Sequence, residues 1–120
     1  MEIINNTPHA IGIYSGSEFD PKIRKYRGGS LERTIEPSGV LLNAKMEEIG
    51  DEPIDGIITK RSRIISADPI PDDGNYHVVS QLYLSAARQS GWDTSRLITI
   101  GGAVVDDAGR TIGASFLVRN

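Results

Sequence analysis

The sequence predicts an α+β fold, a mainly antiparallel β-sheet with one short helix packed on it. Short apolar runs alternate with glycine, proline and asparagine breakers along most of the 120 residues, a pattern typical of strands. The segment from about residue 81 to residue 90 has the clearest helical spacing of apolar residues, and a helix start and stop signal bracket it. The length suits a single domain over residues 1–120 with one core.

The first predicted element is a hairpin. Two short apolar runs, around Ile3–Ile4 and Ala10–Tyr14, flank the polar sequence Asn6-Thr7-Pro8. Pro8 fixes its own backbone and pushes the residue before it into extended geometry, while asparagine side chains bond to turn amides. We therefore expect two strands joined by a tight turn, with His9 hydrogen-bonded to that turn.

The next segment divides into a loop and two strands. Gly16 to Gly29 has neither a helical nor a strand period, so it is predicted to be a long loop. Residues 30–35 alternate as a strand does and end at the turn Pro37-Ser38-Gly39. Residues 41–49 fit a strand or a helix, and the glycines and proline that bracket them favour a strand.

A second hairpin is predicted at Asp55-Gly56, because this dipeptide stands between apolar residues. It leads into a strand from about Ile57 to Ile65. Side chains two residues apart in a strand point to the same face. Arg61 and Arg63 are therefore expected to share one face.

The one predicted helix follows a strand at Tyr76–Val79. Ser80 is a good N-cap for a helix from about Gln81 to Ser90, and Gly91 supplies the stop. Its apolar stripe is predicted to consist of Leu82, Tyr83, Ala86 and Ala87.

The chain closes on strands over residues 98–100, 103–106 and 110–118, the last two joined by Asp107-Ala108-Gly109. This tripeptide suits a three-residue hairpin loop with glycine in the left-handed position. An oligomer would help to cover the edge strands of such a sheet.

Composition excludes several classes of protein. A net charge of -3 argues against general affinity for polymeric nucleic acid, which needs a basic surface. The absence of cysteine removes disulfides and thiolate nucleophiles. No run reaches the roughly 18 apolar residues of a membrane span, and the first 15 residues lack a basic leader. We therefore expect a cytoplasmic protein that contacts no membrane.

Catalytic and metal motifs are not found in the sequence. The chain has no Gly-x-Ser-x-Gly elbow, and His9 and His77 stand in no recognisable catalytic frame. His77 alternates within a strand, so it is expected to be half-buried or at the surface. The carboxylates have no metal-ligand spacing. We therefore expect no catalytic residue, no metal and no cofactor.

Anion binding is better supported. Lys60, Arg61 and Arg63 lie in one predicted strand, and a Gly-Gly step follows Arg27, where backbone amides can meet a phosphate. The alternative is that the basic residues pair across the sheet with carboxylates such as Glu47 and Glu48. Among the few aromatic residues, Trp92 is either a stacking platform or an anchor for an oligomer. Tyr83 lies on the apolar stripe of the helix, a position that fits a core or subunit-interface residue better than a ligand platform.

Four sequence segments resemble a family of small phage and prophage proteins. They are the opening motif Asn5–Ile11, the turn Ile35–Val40, the segment Tyr76–Ser80 and the closing hairpin Val105–Gly113. The best functional match is the Thoeris anti-defence sponge family. Members of that family bind cyclic ADP-ribose-type signals, and sometimes cyclic oligonucleotides, without cleaving them.

The resemblance implies a homo-oligomer in the infected bacterial host that sequesters a cyclic nucleotide immune signal in pockets between protomers. Arginines would bind the phosphates, an aromatic side chain would stack on the adenine and a carboxylate would contact the sugar or base. Carried onto this chain, these residues are Arg61, Arg63, Tyr83, Asp93 and Arg110, with Arg24 and Arg27 as a second anion site. Two departures are Val105, where members often have arginine, and the long excursion over Gly16–Gly29.

Two other functions stay open at this point. One is an enzyme that cleaves such a nucleotide with His9 as acid or base. The other is a small phage structural or protein-interaction module, in which the acidic segment Glu47–Asp55 and the basic segment Lys22–Arg27 would be contact surfaces.

Overall fold

The computed structural model describes residues 2–120 and confirms the predicted fold class. That part of the chain contains one helix, which follows the eighth of ten strands. The elements are β1 Ile3–Asn5, β2 Ile11–Ser15, β3 Glu18–Asp20, β4 Lys25–Arg27, β5 Ser30–Ile35, β6 Ala44–Ile54, β7 Ile57–Ala67, β8 Tyr76–Val78, α1 Gln81–Gln89, β9 Leu97–Val105 and β10 Thr111–Arg119.

Eight strands form one sheet in the order β1-β8-β9-β10-β2-β5, with the β3–β4 pair attached through β4 to β9. The long β9–β10 and β2–β5 pairings are antiparallel, whereas the parallel pairings of β1 with β8 and β8 with β9 are short. β6 and β7 form a separate two-stranded antiparallel ribbon. We call this ribbon, residues 44–67, the arm.

The predicted N-terminal hairpin is wrong. β1 pairs with β8, and β2 pairs with β10 and β5, so the first two strands lie at different places in the sheet. The buried Asn5 side chain explains the difference, because it donates to the carbonyl of Ile35 at 3.0 Å as well as to the turn. The Asn5 carbonyl also accepts from the amide of Ser38 at 2.9 Å. These bonds join the β1 edge to the segment after β5, and the sheet curls.

The other elements follow their local signals more closely. The Asp55-Gly56 hairpin is confirmed, and both residues have positive φ (52° and 76°), as a type I′ turn requires. The strand predicted over residues 41–49 begins at Ala44. Residues 97–105 form a single strand instead of two. The predicted loop over Gly16–Gly29 is wrong, because it contains the β3–β4 hairpin.

Helix α1 begins and ends as predicted. Ser80 is its N-cap and accepts a hydrogen bond from the amide of Tyr83 at 3.1 Å. Gly91 has a φ of 74°, and the Trp92 amide bonds to the Ala87 carbonyl in a Schellman arrangement. The apolar stripe is wrong at one position: Leu84, not Leu82, packs with Tyr83 in the cluster completed by Leu42, Val79, Ala87 and Leu97.

No helix within residues 2–120 has the length and apolar character needed to cross a membrane.

Candidate functional site

A cleft of about 480 Å³ opens between the turn after β1, the start of α1, and the strands β9 and β10. We call it the N-terminal cleft. Its walls include the half-exposed side chains of Ile100 and Ile112. Its polar lining is Thr7, His9, Ser80, Gln81, Thr99 and Thr111. The volume lies within the usual range for small-molecule sites.

Two sequence motifs separated by about seventy residues meet at this cleft. β1 and β8 are parallel, with Asn5 opposite Val78, so the chain leaves both strands at the same edge of the sheet. The amide of Asn6 bonds to the Val78 carbonyl at 3.0 Å and fixes this register. Consequently the segment Thr7–His9 and the segment Val79–Gln81 both line the cleft.

The turn that carries His9 is held by Asn5. The Oδ1 atom of Asn5 accepts from the amide and hydroxyl of Thr7 at 3.0 and 2.6 Å, and its Nδ2 donates to the His9 carbonyl at 2.8 Å. The carbonyl of His9 therefore bonds to the turn, whereas the expected hydrogen bond from its side chain to the turn is not formed. The exposed imidazole makes no hydrogen bond within the described chain and is available at the cleft.

The start of α1 gives the cleft a preference for negative charge. The first amides of a helix have no intrahelical partner, and the helix dipole places partial positive charge there. Ser80 accepts a hydrogen bond from the amide of Tyr83. No acidic residue lies in the first turn to compensate the partial positive charge of the other first-turn amides. A ligand with an anionic group near Gln81 and an apolar or aromatic body between Ile100 and Ile112 matches this arrangement.

A buried histidine, His77, hydrogen-bonds to Asn6 at the start of this turn. His77 was predicted to be half-buried or at the surface, but only 2% of it is exposed. Its Nδ1 lies 2.6 Å from Asn6 Oδ1, and its Nε2 lies 2.9 Å from Asp73 Oδ1. Asn6 Nδ2 donates to the Val40 carbonyl at 2.8 Å, which leaves Oδ1 to accept from His77. Burial is tolerated because both ring nitrogens have partners.

The Asp73–His77 pair predicts an acid dependence of stability. The hydrogen bond from His77, and then that from the Asn75 amide, holds the pKa of Asp73 below its usual value of 3.8. The pKa of Asp73 is lower in the folded protein than its usual value of 3.8, which it has in the unfolded chain. The stabilisation from Asp73 is therefore complete above 3.8 and is lost as the pH falls through the lower, folded pKa. Denaturant unfolding of the wild type and Asp73→Asn over this pH range should give stabilities that converge in acid. Parallel curves would contradict this role of Asp73.

A second cleft, of about 450 Å³, lies between Pro69–Asp72 and the segment after α1. We call it the tryptophan cleft, because Trp92 lines it together with Asp93 and Arg96. The amide of Ser95 donates to Asp93 Oδ1 at 3.0 Å, and this bond lowers the pKa of Asp93. Arg96 donates to the Gly74 carbonyl at 2.8 Å. Two carboxylates against one guanidinium make this cleft less favourable to phosphates than the first.

The residues predicted as a binding site do not converge in one chain. Arg61 and Arg63 lie on the arm. Arg63 Nε donates to Glu47 Oε1 at 2.6 Å, so this arginine pairs across the two strands, which is the alternative to anion binding given above. Asp93 lines the tryptophan cleft. Arg110 lies in the β9–β10 loop and pairs with Asp106 at 3.2 Å. None of the four is among the residues that line the N-terminal cleft.

The predicted stacking role of Tyr83 conflicts with its position. The residue has no exposed surface, and its hydroxyl donates to the Asp68 carbonyl at 2.6 Å. Burial raises the pKa of this hydroxyl. In this conformation no face of the ring is open to a base, and Tyr83 is a core residue.

The predicted second anion site falls on the β3–β4 hairpin. Arg27 Nε bonds to Asp20 Oδ2 at 3.2 Å, so the neighbouring carboxylate neutralises part of its charge. Arg24 has a φ of 55° in the turn of this hairpin. Neither residue lines the two clefts described above.

Within residues 2–120 no group of three or more histidine, cysteine, aspartate or glutamate side chains is arranged to hold a metal ion.

Sequence reasoning missed the N-terminal cleft, because the parallel pairing of β1 with β8 leaves no local signature. Its only signal is that the motifs at Thr7–His9 and Tyr76–Ser80 both carry the family resemblance. Comparison with protein-family models, with curated proteins and with solved structures finds no match for this chain.

Proposed function

We propose that this protein is a non-catalytic sponge that binds a cyclic nucleotide signal, of the cyclic ADP-ribose type, and so inhibits bacterial antiphage signalling. The observation that carries the proposal is the convergence of Thr7–His9 and Val79–Gln81 on the N-terminal cleft. Thr7–His9 and Val79–Ser80 belong to two of the segments by which the sequence resembles the small phage and prophage protein family, whose best functional match is the sponge family.

The chemistry of the cleft supports an anionic ligand with a flat apolar part. The uncompensated helix terminus at Ser80 and Gln81 suits a phosphate. The side chains of Ile100 and Ile112 offer apolar surface to a base. The exposed hydroxyl groups of Ser80 and Thr111 supply further hydrogen-bonding groups for a ribose.

Binding without cleavage fits this lining better than catalysis does. His9 is the one titratable side chain among the lining residues of the cleft, and no carboxylate within residues 2–120 hydrogen-bonds to its ring. General acid and base catalysis ordinarily needs a partner that fixes the imidazole. We therefore assign His9 to ligand contact.

The proposal is tested by titrating the protein with cyclic ADP-ribose in a calorimeter. Ile112→Asp adds a negative charge at the cleft wall and is expected to weaken binding at least about tenfold, which is about 1.4 kcal/mol. Ile112 is partly exposed at a bulge of β10, so the fold should survive. Ile112→Asn has nearly the same shape without the charge and is expected to bind more tightly than Ile112→Asp.

Trp92→Ala is the control for the tryptophan cleft and is expected to leave the affinity near that of the wild type. Equal affinity of the wild type and Ile112→Asp would exclude the N-terminal cleft. Loss of binding in Trp92→Ala alone would move the site to the tryptophan cleft.

A further inference from the structure

The tryptophan cleft lies between two walls that the fold holds in place. In the first wall, Ile70 packs against the core cluster around Tyr83, and a proline on each side of it fixes the backbone. In the second wall, the amide of Trp92 bonds to the Ala87 carbonyl at 3.1 Å. A surface that is ordered before its ligand arrives loses little conformational entropy on binding. The cleft is therefore preorganised, and the proposed function uses none of its residues.

Trp92 gives the cleft an aromatic surface. The residue is the one tryptophan of the chain and is 36% exposed. Indole attracts a cation over its face more strongly than the other aromatic side chains do. The neighbouring Tyr76 already uses this interaction, because the Cζ atoms of Arg96 and Arg119 lie 5.7 and 5.1 Å from the centroid of its ring. Within residues 2–120 no such cation lies over Trp92, so its ring can receive one from a ligand.

The charged side chains of the cleft favour a cation. Asp72 and Asp93 line it, and neither makes an ion pair within residues 2–120. The hydrogen bond from the Ser95 amide lowers the pKa of Asp93, so this carboxylate is ionised at neutral pH. Arg96 is the one basic residue of the lining, and its guanidinium is engaged with a backbone carbonyl and the ring of Tyr76. The lining therefore carries an excess of negative charge.

We propose that the tryptophan cleft binds an arginine side chain of a partner protein, with the guanidinium against Trp92 and its N–H groups donating to Asp72 and Asp93. A guanidinium is planar, so it stacks on an aromatic ring while it donates hydrogen bonds in its own plane to carboxylates. It is also more weakly hydrated than the ammonium of lysine, which makes its transfer into the cleft less costly. This interaction lies outside nucleotide binding and goes beyond the proposed function.

The apolar part of the lining identifies the source of the guanidinium. The cleft has a volume of about 450 Å³, more than a guanidinium fills, and Pro69, Ile70 and Pro71 supply apolar surface beside the charged groups. An apolar residue next to the arginine in a peptide can occupy this surface. Free arginine has no such residue, and its own carboxylate would be repelled by Asp72 and Asp93. A peptide segment in which an apolar residue neighbours arginine therefore fits the cleft better.

The fluorescence of Trp92 tests the proposal directly, because no other tryptophan contributes to the signal. The probe is a blocked tetrapeptide in which arginine and leucine stand between two glycines. We expect it to change the emission with a Kd of about 0.1–1 mM at low salt. The same peptide with citrulline, which has nearly the shape of arginine without its charge, is expected to bind at least about tenfold more weakly. Replacing the leucine by glycine is expected to weaken binding about threefold or more.

Variants of the protein locate the contact by calorimetry. Asp72→Asn with Asp93→Asn removes both charges but keeps an oxygen that can accept from the Ser95 amide, and it is expected to weaken binding of the arginine peptide at least about tenfold. Asp107→Asn, exposed in the β9–β10 loop and outside the cleft, is the matched control and should bind as the wild type does. Trp92→Leu keeps an apolar side chain without the aromatic face and is expected to weaken binding about three- to tenfold. Circular dichroism checks that each variant is folded.

Several results would overturn the proposal. An emission that stays unchanged up to about 10 mM arginine peptide would show that the cleft does not bind it with the expected affinity. Equal affinity for the citrulline peptide would show that the cleft does not recognise the charge, and equal affinity after leucine is replaced by glycine would remove the argument for a peptide. A folded Asp72→Asn, Asp93→Asn variant that binds as the wild type does would place the contact elsewhere. Self-association of the wild type that Trp92→Leu abolishes would assign the cleft to a second copy of the chain instead.

Discussion

Tyr83→Ala is expected to lower the free energy of unfolding by about 3–5 kcal/mol, the usual cost of removing a large aromatic side chain from a core. The residue has no exposed surface and packs against Leu84, Leu97 and the apolar residues around them. It connects α1 to the segment before β8, because its hydroxyl bonds to the Asp68 carbonyl. Denaturant unfolding followed by circular dichroism measures the effect.

Tyr83→Phe separates packing from hydrogen bonding. It keeps the ring and removes only the hydroxyl, so we expect a smaller loss of about 1–2 kcal/mol. A loss from Tyr83→Ala of less than about 1 kcal/mol would mean that the ring is not a core group. Tyr83 would then be open again to the stacking role that the family resemblance implies.

Asn5→Ala is expected to cost about 3 kcal/mol. Each buried polar group left without a partner costs about 1–3 kcal/mol, and this side chain is only 1% exposed. The substitution orphans the Ile35 carbonyl and the polar groups of Thr7, so it loosens both the curl of the sheet and the turn that carries His9. The same unfolding experiment measures it.

Asn43→Ala is the matched control for this effect. Asn43 is exposed, and its side chain makes no hydrogen bond in the described part of the chain. A change within about 0.5 kcal/mol is expected there. If the two variants were equally stable, Asn5 would not close the sheet.

Local chemistry explains which elements the sequence predicted well. Asp55-Gly56 specifies its own turn, because both residues tolerate positive φ. Ser80 and Gly91 mark the two ends of α1 in the same way. The loop Asp107-Ala108-Gly109 is closed by bonds within the segment Asp106–Arg110. In each case the atoms that decide the structure lie within a few residues of one another.

Long-range pairing explains what the sequence did not predict. The turn at Asn6-Thr7-Pro8 has the composition of a hairpin, but the side chain of Asn5 bonds to Ile35 instead and separates the flanking strands. The N-terminal cleft depends on that separation and on the pairing of β1 with β8. The apolar spacing of α1 favoured a core position for Tyr83, which the structure confirms, whereas its stacking role came only from the family resemblance.

The proposed function is tested most directly by capture and release. The protein, in molar excess, is mixed with cyclic ADP-ribose and passed through a filter that retains protein. The retained fraction is then heated, and the released material is identified by mass spectrometry. We predict that the filtrate is depleted of cyclic ADP-ribose and that heating returns it with its mass unchanged. Cyclic ADP-ribose left in the filtrate, or recovery of a hydrolysed product, would contradict the account.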